Sequence, residues 1–75
     1  MSIVDFTIHT KPELPENERV EIEIEIREMD GVMAACFSSS HPNMMEVAYD
    51  PDVVTSSVVM ACLSQRGIAA KKVGL

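Results

Sequence analysis

The stretch 20–32, V-E-I-E-I-E-I-R-E-M-D-G-V, constrains this chain most, because it satisfies two incompatible periods at once. Read with period two, Val20, Ile22, Ile24 and Ile26 share one face of a strand and glutamates share the other. Read at helical spacing, Ile22, Ile26 and Met29 form an apolar stripe that ends at Gly31. The flanks carry helix punctuation. Pro15 suits a first helical position, and Glu16 and Glu18 complement the exposed amides of a first turn. Gly31 stands where a helix C′ glycine would, with Val32 behind it for the hydrophobic contact of a Schellman-type stop. Interior isoleucines cost a helix roughly a few tenths of a kcal/mol each relative to alanine, which packing overrides. On the residues alone, both readings stand.

The rest of the chain is easier to read. Residues 3–10 alternate, with Val4, Phe6, Ile8 and Thr10 on one face and Ile3, Asp5, Thr7 and His9 on the other. That predicts a first strand with one buried face, stopped by Pro12 and Pro15. After Gly31 the pattern predicts a hairpin with arms 33–39 and 44–50, joined through Ser40-His41-Pro42-Asn43. Ala35 and Phe37 face inward from one arm, and Met45, Val47 and Tyr49 from the other. Thr55 is an N-cap for a helix running to about Arg66, with Val59, Met60, Cys62 and Leu63 turned to the core. Gly67 closes it, and residues 68–73 form a short last strand.

Composition excludes several classes. A chain of 75 residues is expected to form one domain, 1–75, burying only about 60% of its unfolded surface. Twelve acids against six bases give a net charge of −6, which argues against nucleic acid and anionic membrane surfaces. The longest unbroken apolar run, 32–37, is far short of the roughly 20 residues a membrane helix needs, so no membrane insertion is expected. Asp5 and His9 interrupt the first apolar residues, and no basic flank precedes them, unlike a signal peptide. The expected location is therefore the cytoplasm, where Cys36 and Cys62 stay reduced.

Three segments together resemble the heavy-metal-associated domain of copper chaperones and metal-pumping ATPases. They are I-E-I-E-I-R-E-M-D-G-V at 22–32, V-A-Y-D-P at 47–51 and L-S-Q-R-G-I at 63–68. The resemblance covers nearly the whole chain and favours the helix for the opening stretch. It implies an α+β, ferredoxin-like βαββαβ sandwich, with a four-stranded antiparallel sheet and two helices on one face. The family's Cys-x-x-Cys metal motif, counted back from Ile22, falls on Pro15 and Glu18, and neither is a thiol. The resemblance thus implies the fold without the thiolate pair that suits soft ions such as Cu(I).

Other candidates are weaker. Alternation puts Cys36 on the open sheet face with His9, Thr7, Met44 and Glu46, a donor set that suits Cu(I) or Zn(II) only if the strands bring it together. The bland alternative is a solvated face with one free thiol. His41-Pro42-Asn43-Met44-Met45 reads as a His/Met loop or as ordinary turn chemistry, and Glu13, Glu16 and Glu18 as a helix start rather than a cation site. Cys62 reads as a small buried apolar residue. No nucleophile–base pair or phosphate-cradling glycine loop can be assembled, so no enzyme activity is expected. On the helix reading, Val20 and Ile24 point outward beside Glu21, Glu25 and Glu28. That face suits a protein partner, either a second copy in a homodimer or a basic protein. The expected function is a non-catalytic binding or oligomerisation module without a cofactor. The alternative is a Cu(I) or Zn(II) binding or transport protein using Cys36, His9, His41 and Met44.

Overall fold

The computed structural model describes residues 2–11 and 13–73. Its elements run β1 (Val4–Thr10), α1 (Glu16–Arg27), β2 (Val32–Phe37), β3 (Met44–Tyr49), α2 (Ser56–Gln65) and β4 (Ala70–Val73). The four strands form one antiparallel sheet in the order β2-β3-β1-β4, a ferredoxin-like βαββαβ arrangement. The ambiguous stretch is helical: Ile22 and Ile26 are fully buried, whereas Val20 and Ile24 are about half exposed, at 46% and 47%. Only a 3.6-residue period sorts the aliphatics this way.

The core lies between the sheet and the helices. Ile8 of β1, Ala35 of β2 and Met45 and Val47 of β3 meet Ile22 and Ile26 of α1 and Val59, Cys62 and Leu63 of α2. Phe6 and Tyr49 pack edge to face across β1 and β3, with ring centroids 5.5 Å apart. Burial deepens along β1: Val4, expected on the buried face, is 40% exposed because it lies at the strand's free end, while Ile8 and Thr10 are fully covered.

Several expected boundaries shift, each for a local reason. Pro15 is the N-cap rather than the first helical residue, with φ −64° and ψ 156°. Pro12 lies outside the described residues. Helix α1 stops at Arg27, so Gly31 is not its C′ residue. It is instead the third residue of a turn closed by the Val32 N–H donating to the Met29 carbonyl, 3.2 Å, and its φ of +93° suits that position. Both hairpin arms are shorter than expected, and β2 starts one residue earlier, at Val32, with a register shift before Ala34. At the end of α2 the Ile68 N–H reaches the Leu63 carbonyl and the Gly67 N–H reaches the Ser64 carbonyl. These are the paired bonds of a Schellman motif, with Leu63 and Ile68 both buried. Ile68 is committed to that motif, which is why β4 begins only at Ala70. Thr55 caps α2 as expected, its hydroxyl accepting from the Val58 N–H at 3.3 Å. No helix among the described residues is long and apolar enough to cross a membrane.

Candidate functional site

The β1–α1, β2–β3 and α2–β4 connections meet at one end of the sandwich. The Lys11 N–H donates to the Ala69 carbonyl at 2.8 Å, and the Thr10 N–H donates to the Asn43 carbonyl at 2.9 Å. The positions that the family resemblance assigns to the metal motif lie here. Pro15 is exposed and has no side-chain donor atom to offer, its carbonyl already accepting from the Glu18 and Arg19 N–H groups, and Glu18 is half-buried at the start of α1. Between the strand and the helix, Leu14 turns into the core, 7% exposed, and its carbonyl accepts from the Arg19 guanidinium. A loop and first helical turn with an apolar anchor, the carboxylates of Glu13, Glu16 and Glu18 and a fixed guanidinium, but no thiol or thioether, does not match the ligands a soft cation takes. Among the described residues, no three His, Cys, Asp or Glu side chains are grouped to hold a metal ion.

The open sheet face carries the residues that alternation assigned to it, but strand order separates them. His9 of β1 lies opposite Met44 of β3, and Cys36 of β2 lies opposite Glu46, which in turn faces Thr7. Strand β3 stands between Cys36 and His9. With strands about 4.8 Å apart and about 3.4 Å per residue, the two backbones are about 12 Å apart, too far to share one ion. His9 is held by Asn43, whose amide nitrogen donates to Nε2 at 2.9 Å; its Nδ1 is buried without a hydrogen-bond partner. His41 sits exposed in the hairpin loop, Nδ1 against the Ser40 hydroxyl at 3.1 Å.

Outside the sheet, the acidic side of α1 is partly neutralised by a cation the sequence reading did not pair with it. Arg66, just past α2, reaches Glu25 at 2.6 Å and Glu21 at 3.2 Å, tying the two helices together over Cys62. No local signal could have matched Arg66 to glutamates so distant in sequence. Glu28 remains exposed beyond them, and Val20 and Ile24 flank the pair. The second unforeseen contact is at the sheet edge, where Glu23 and Arg27 reach the backbone of β2.

The two thiols differ sharply. Cys36 is exposed, and Cys62 is buried. Burial first, and then a hydrogen bond to Glu25, push the Cys62 thiol above its ordinary value. A folded-state value raised above the unfolded one favours the protonated native state. That stabilisation is complete below the unfolded thiol's pKa and disappears as pH rises through the folded value, so it weakens only in alkaline solution. Iodoacetamide is therefore expected to modify Cys36 rapidly and Cys62 only through opening of the fold. Time-resolved mass spectrometry checks this, and equal rates at both sites would contradict the burial of Cys62.

Neither a protein-family model nor a curated protein matches the chain. Solved structures do. Oxidised MerP from Ralstonia metallidurans CH34 superposes with a TM-score of 0.84 at 10% identity, covering 97% of this chain and 100% of its own. The putative copper-ion-binding protein from Bacillus anthracis str. Ames gives 0.82 at 20% identity, over 93% and 97%. A copper binding domain from HMA7, a P-type ATPase, gives 0.81 at 16% identity, over 93% of each chain. At such identities the likeness establishes the fold alone: this chain has the fold of the heavy-metal-associated domain.

Proposed function

We propose that this chain is a non-catalytic protein-binding module, one domain built on a metallochaperone-like fold that has lost its thiolate metal site. The observation that carries the reading is the β1–α1 loop. Pro15 and Glu18 occupy the motif positions, Leu14 is buried, and the Arg19 guanidinium donates to the Leu14 carbonyl. A fixed cation and an apolar anchor there favour a closed loop over an ion-accepting one. The binding face in this reading is the outer side of α1, where Val20 and Ile24 stand half exposed beside Glu21, Glu25 and Glu28. It takes a second copy or a basic protein, in the cytoplasm, and Arg66 holds two of the glutamates in place for that contact.

Light scattering across a concentration series tests the self-associating form. A dimer that dissociates in Ile24→Glu supports it, and a strict monomer unaffected by that substitution rejects it. A second reading rests on His9, whose buried Nδ1 lacks a hydrogen-bond partner and whose strand neighbour is Met44. It makes Cu(I) or Zn(II) the cargo, with Met44 or His41 as further ligands, since Cys36 lies across β3 from His9. Anaerobic titration against a strong chelator separates the two. The module reading expects no retained metal; retention that is lost in His9→Ala or Met44→Ala would replace it with the second.

A further inference from the structure

Strand β2 is an edge of the sheet, and its sequence is V-M-A-A-C-F, without charge, proline or glycine. Such an edge is ordinarily a template for pairing with another chain. Here it is occupied from within. The Ser38 N–H donates to the Met44 carbonyl, and the strand register pairs Cys36 with Glu46 and Ala34 with Ala48. By the alternation of an antiparallel ladder, the backbone groups of Ala35 and Phe37 therefore point away from the sheet. Helix α1 satisfies two of them. Arg27 Nε donates to the Ala35 carbonyl at 2.8 Å, and Glu23 Oε2 accepts from the Phe37 N–H at 2.7 Å. The two side chains also pair with each other, one helical turn apart, at 3.6 Å. These lengths are those of a strand–strand ladder, so the helix supplies the bonds that a fifth strand would make.

We propose that Glu23 and Arg27 plug the outer edge of β2, and that the edge they cover is a pairing surface for a second copy of this chain. The two plugged groups are self-complementary. An antiparallel two-fold contact centred on Cys36 sets the Phe37 N–H of each copy against the Ala35 carbonyl of the other, replacing both side-chain bonds with backbone ones. It also brings the two Cys36 residues together as a non-hydrogen-bonded pair, with Cα atoms about 4.5 Å apart, inside the range a disulfide spans. Cys36 is exposed and Cys62 is buried, so Cys36 reports on this contact. While the plug is in place, a second strand gains little, because each bond it forms displaces one already made. This surface is separate from the outer face of α1 and does not depend on Ile24.

The test is the Glu23→Ala/Arg27→Ala double variant. It is expected to sediment as a larger species than the wild type at equal concentration, and to remain so when Ile24→Glu is added. Diamide, which accepts the two electrons and two protons given up by two thiols, is expected to cross-link it through Cys36 about tenfold faster than the wild type. That factor corresponds to about one hydrogen bond's worth of competition. Cys36→Ser in the same background abolishes the cross-link. A double variant that is folded by circular dichroism yet matches the wild type in size and cross-linking rate overturns the proposal. If the double variant does not fold, Glu23→Ala alone decides: faster cross-linking supports the plug, and an unchanged rate overturns it.

Discussion

Replacing Gly31 by alanine is expected to remove a large part of the stability of this chain. Two costs add at that one position. Its φ of +93° is a conformation L-residues rarely adopt, worth roughly 1–2 kcal/mol for a residue with a Cβ. The added Cβ also falls 2.8 Å from Val53 Cβ and 2.9 Å from Cγ1 of both Val53 and Val54. Forcing a methyl into so tight a contact typically costs about 1–3 kcal/mol more. The turn has little room to shift, because the Gly31 carbonyl accepts from the Asp50 N–H at 2.7 Å and Val54 is itself buried. A chain of this length holds about 4–11 kcal/mol in total, so the sum is a substantial fraction of it. Gly67 is the built-in control. Its φ is +79°, but nothing lies within 4 Å of an added Cβ, so Gly67→Ala carries only the conformational cost. Urea denaturation measures both. Equal losses at the two glycines would mean that the packing of Val53 and Val54 against Gly31 does not persist in solution.

Gly31 also marks how far local pattern reaches. Its need for a positive φ was legible, because a glycine ending an apolar stripe has few other uses. Its role was not, because the hydrogen bond from Asp50 comes from the far end of the hairpin. The same division runs through the chain. Thr55, Gly67 and the stripe Val59–Cys62–Leu63 act within a few residues of themselves, and they stand in the structure as their spacing predicts. Alternation placed Cys36, His9 and Met44 on one sheet face correctly, yet strand order puts β3 between Cys36 and His9, and alternation carries no information about strand order. The contacts Arg66–Glu25, Arg27–Ala35 and Arg19–Leu14 were invisible for another reason. Each arginine is long enough to serve several acceptors, and only the packed helices select one.

Truncating Ile26 and Ile24 separately is expected to give effects that differ severalfold, and the pair bears directly on the partner face. Ile26 is fully buried among Ala35, Val47 and the other core residues, so Ile26→Ala removes apolar contacts and leaves a cavity that neighbouring strands fill only in part. Such changes cost about 2–5 kcal/mol, and in a domain of this size each kcal/mol lowers Tm by roughly 4–8 °C. Ile24, two residues earlier and 47% exposed, has its outer half already in water, so Ile24→Ala should stay within about 0.5 kcal/mol in the monomer. Thermal melts at low protein concentration check the ratio. Comparable losses at both positions would place Ile24 beside Ile26 in the core, as a period of two requires, and would remove the outward aliphatic face from α1. If the ratio holds at low concentration but the Ile24→Ala loss grows as the wild-type concentration is raised, the missing part of that side chain's burial lies in a second copy. The growth is then a mass-action effect, because only an interaction between copies makes Tm depend on concentration.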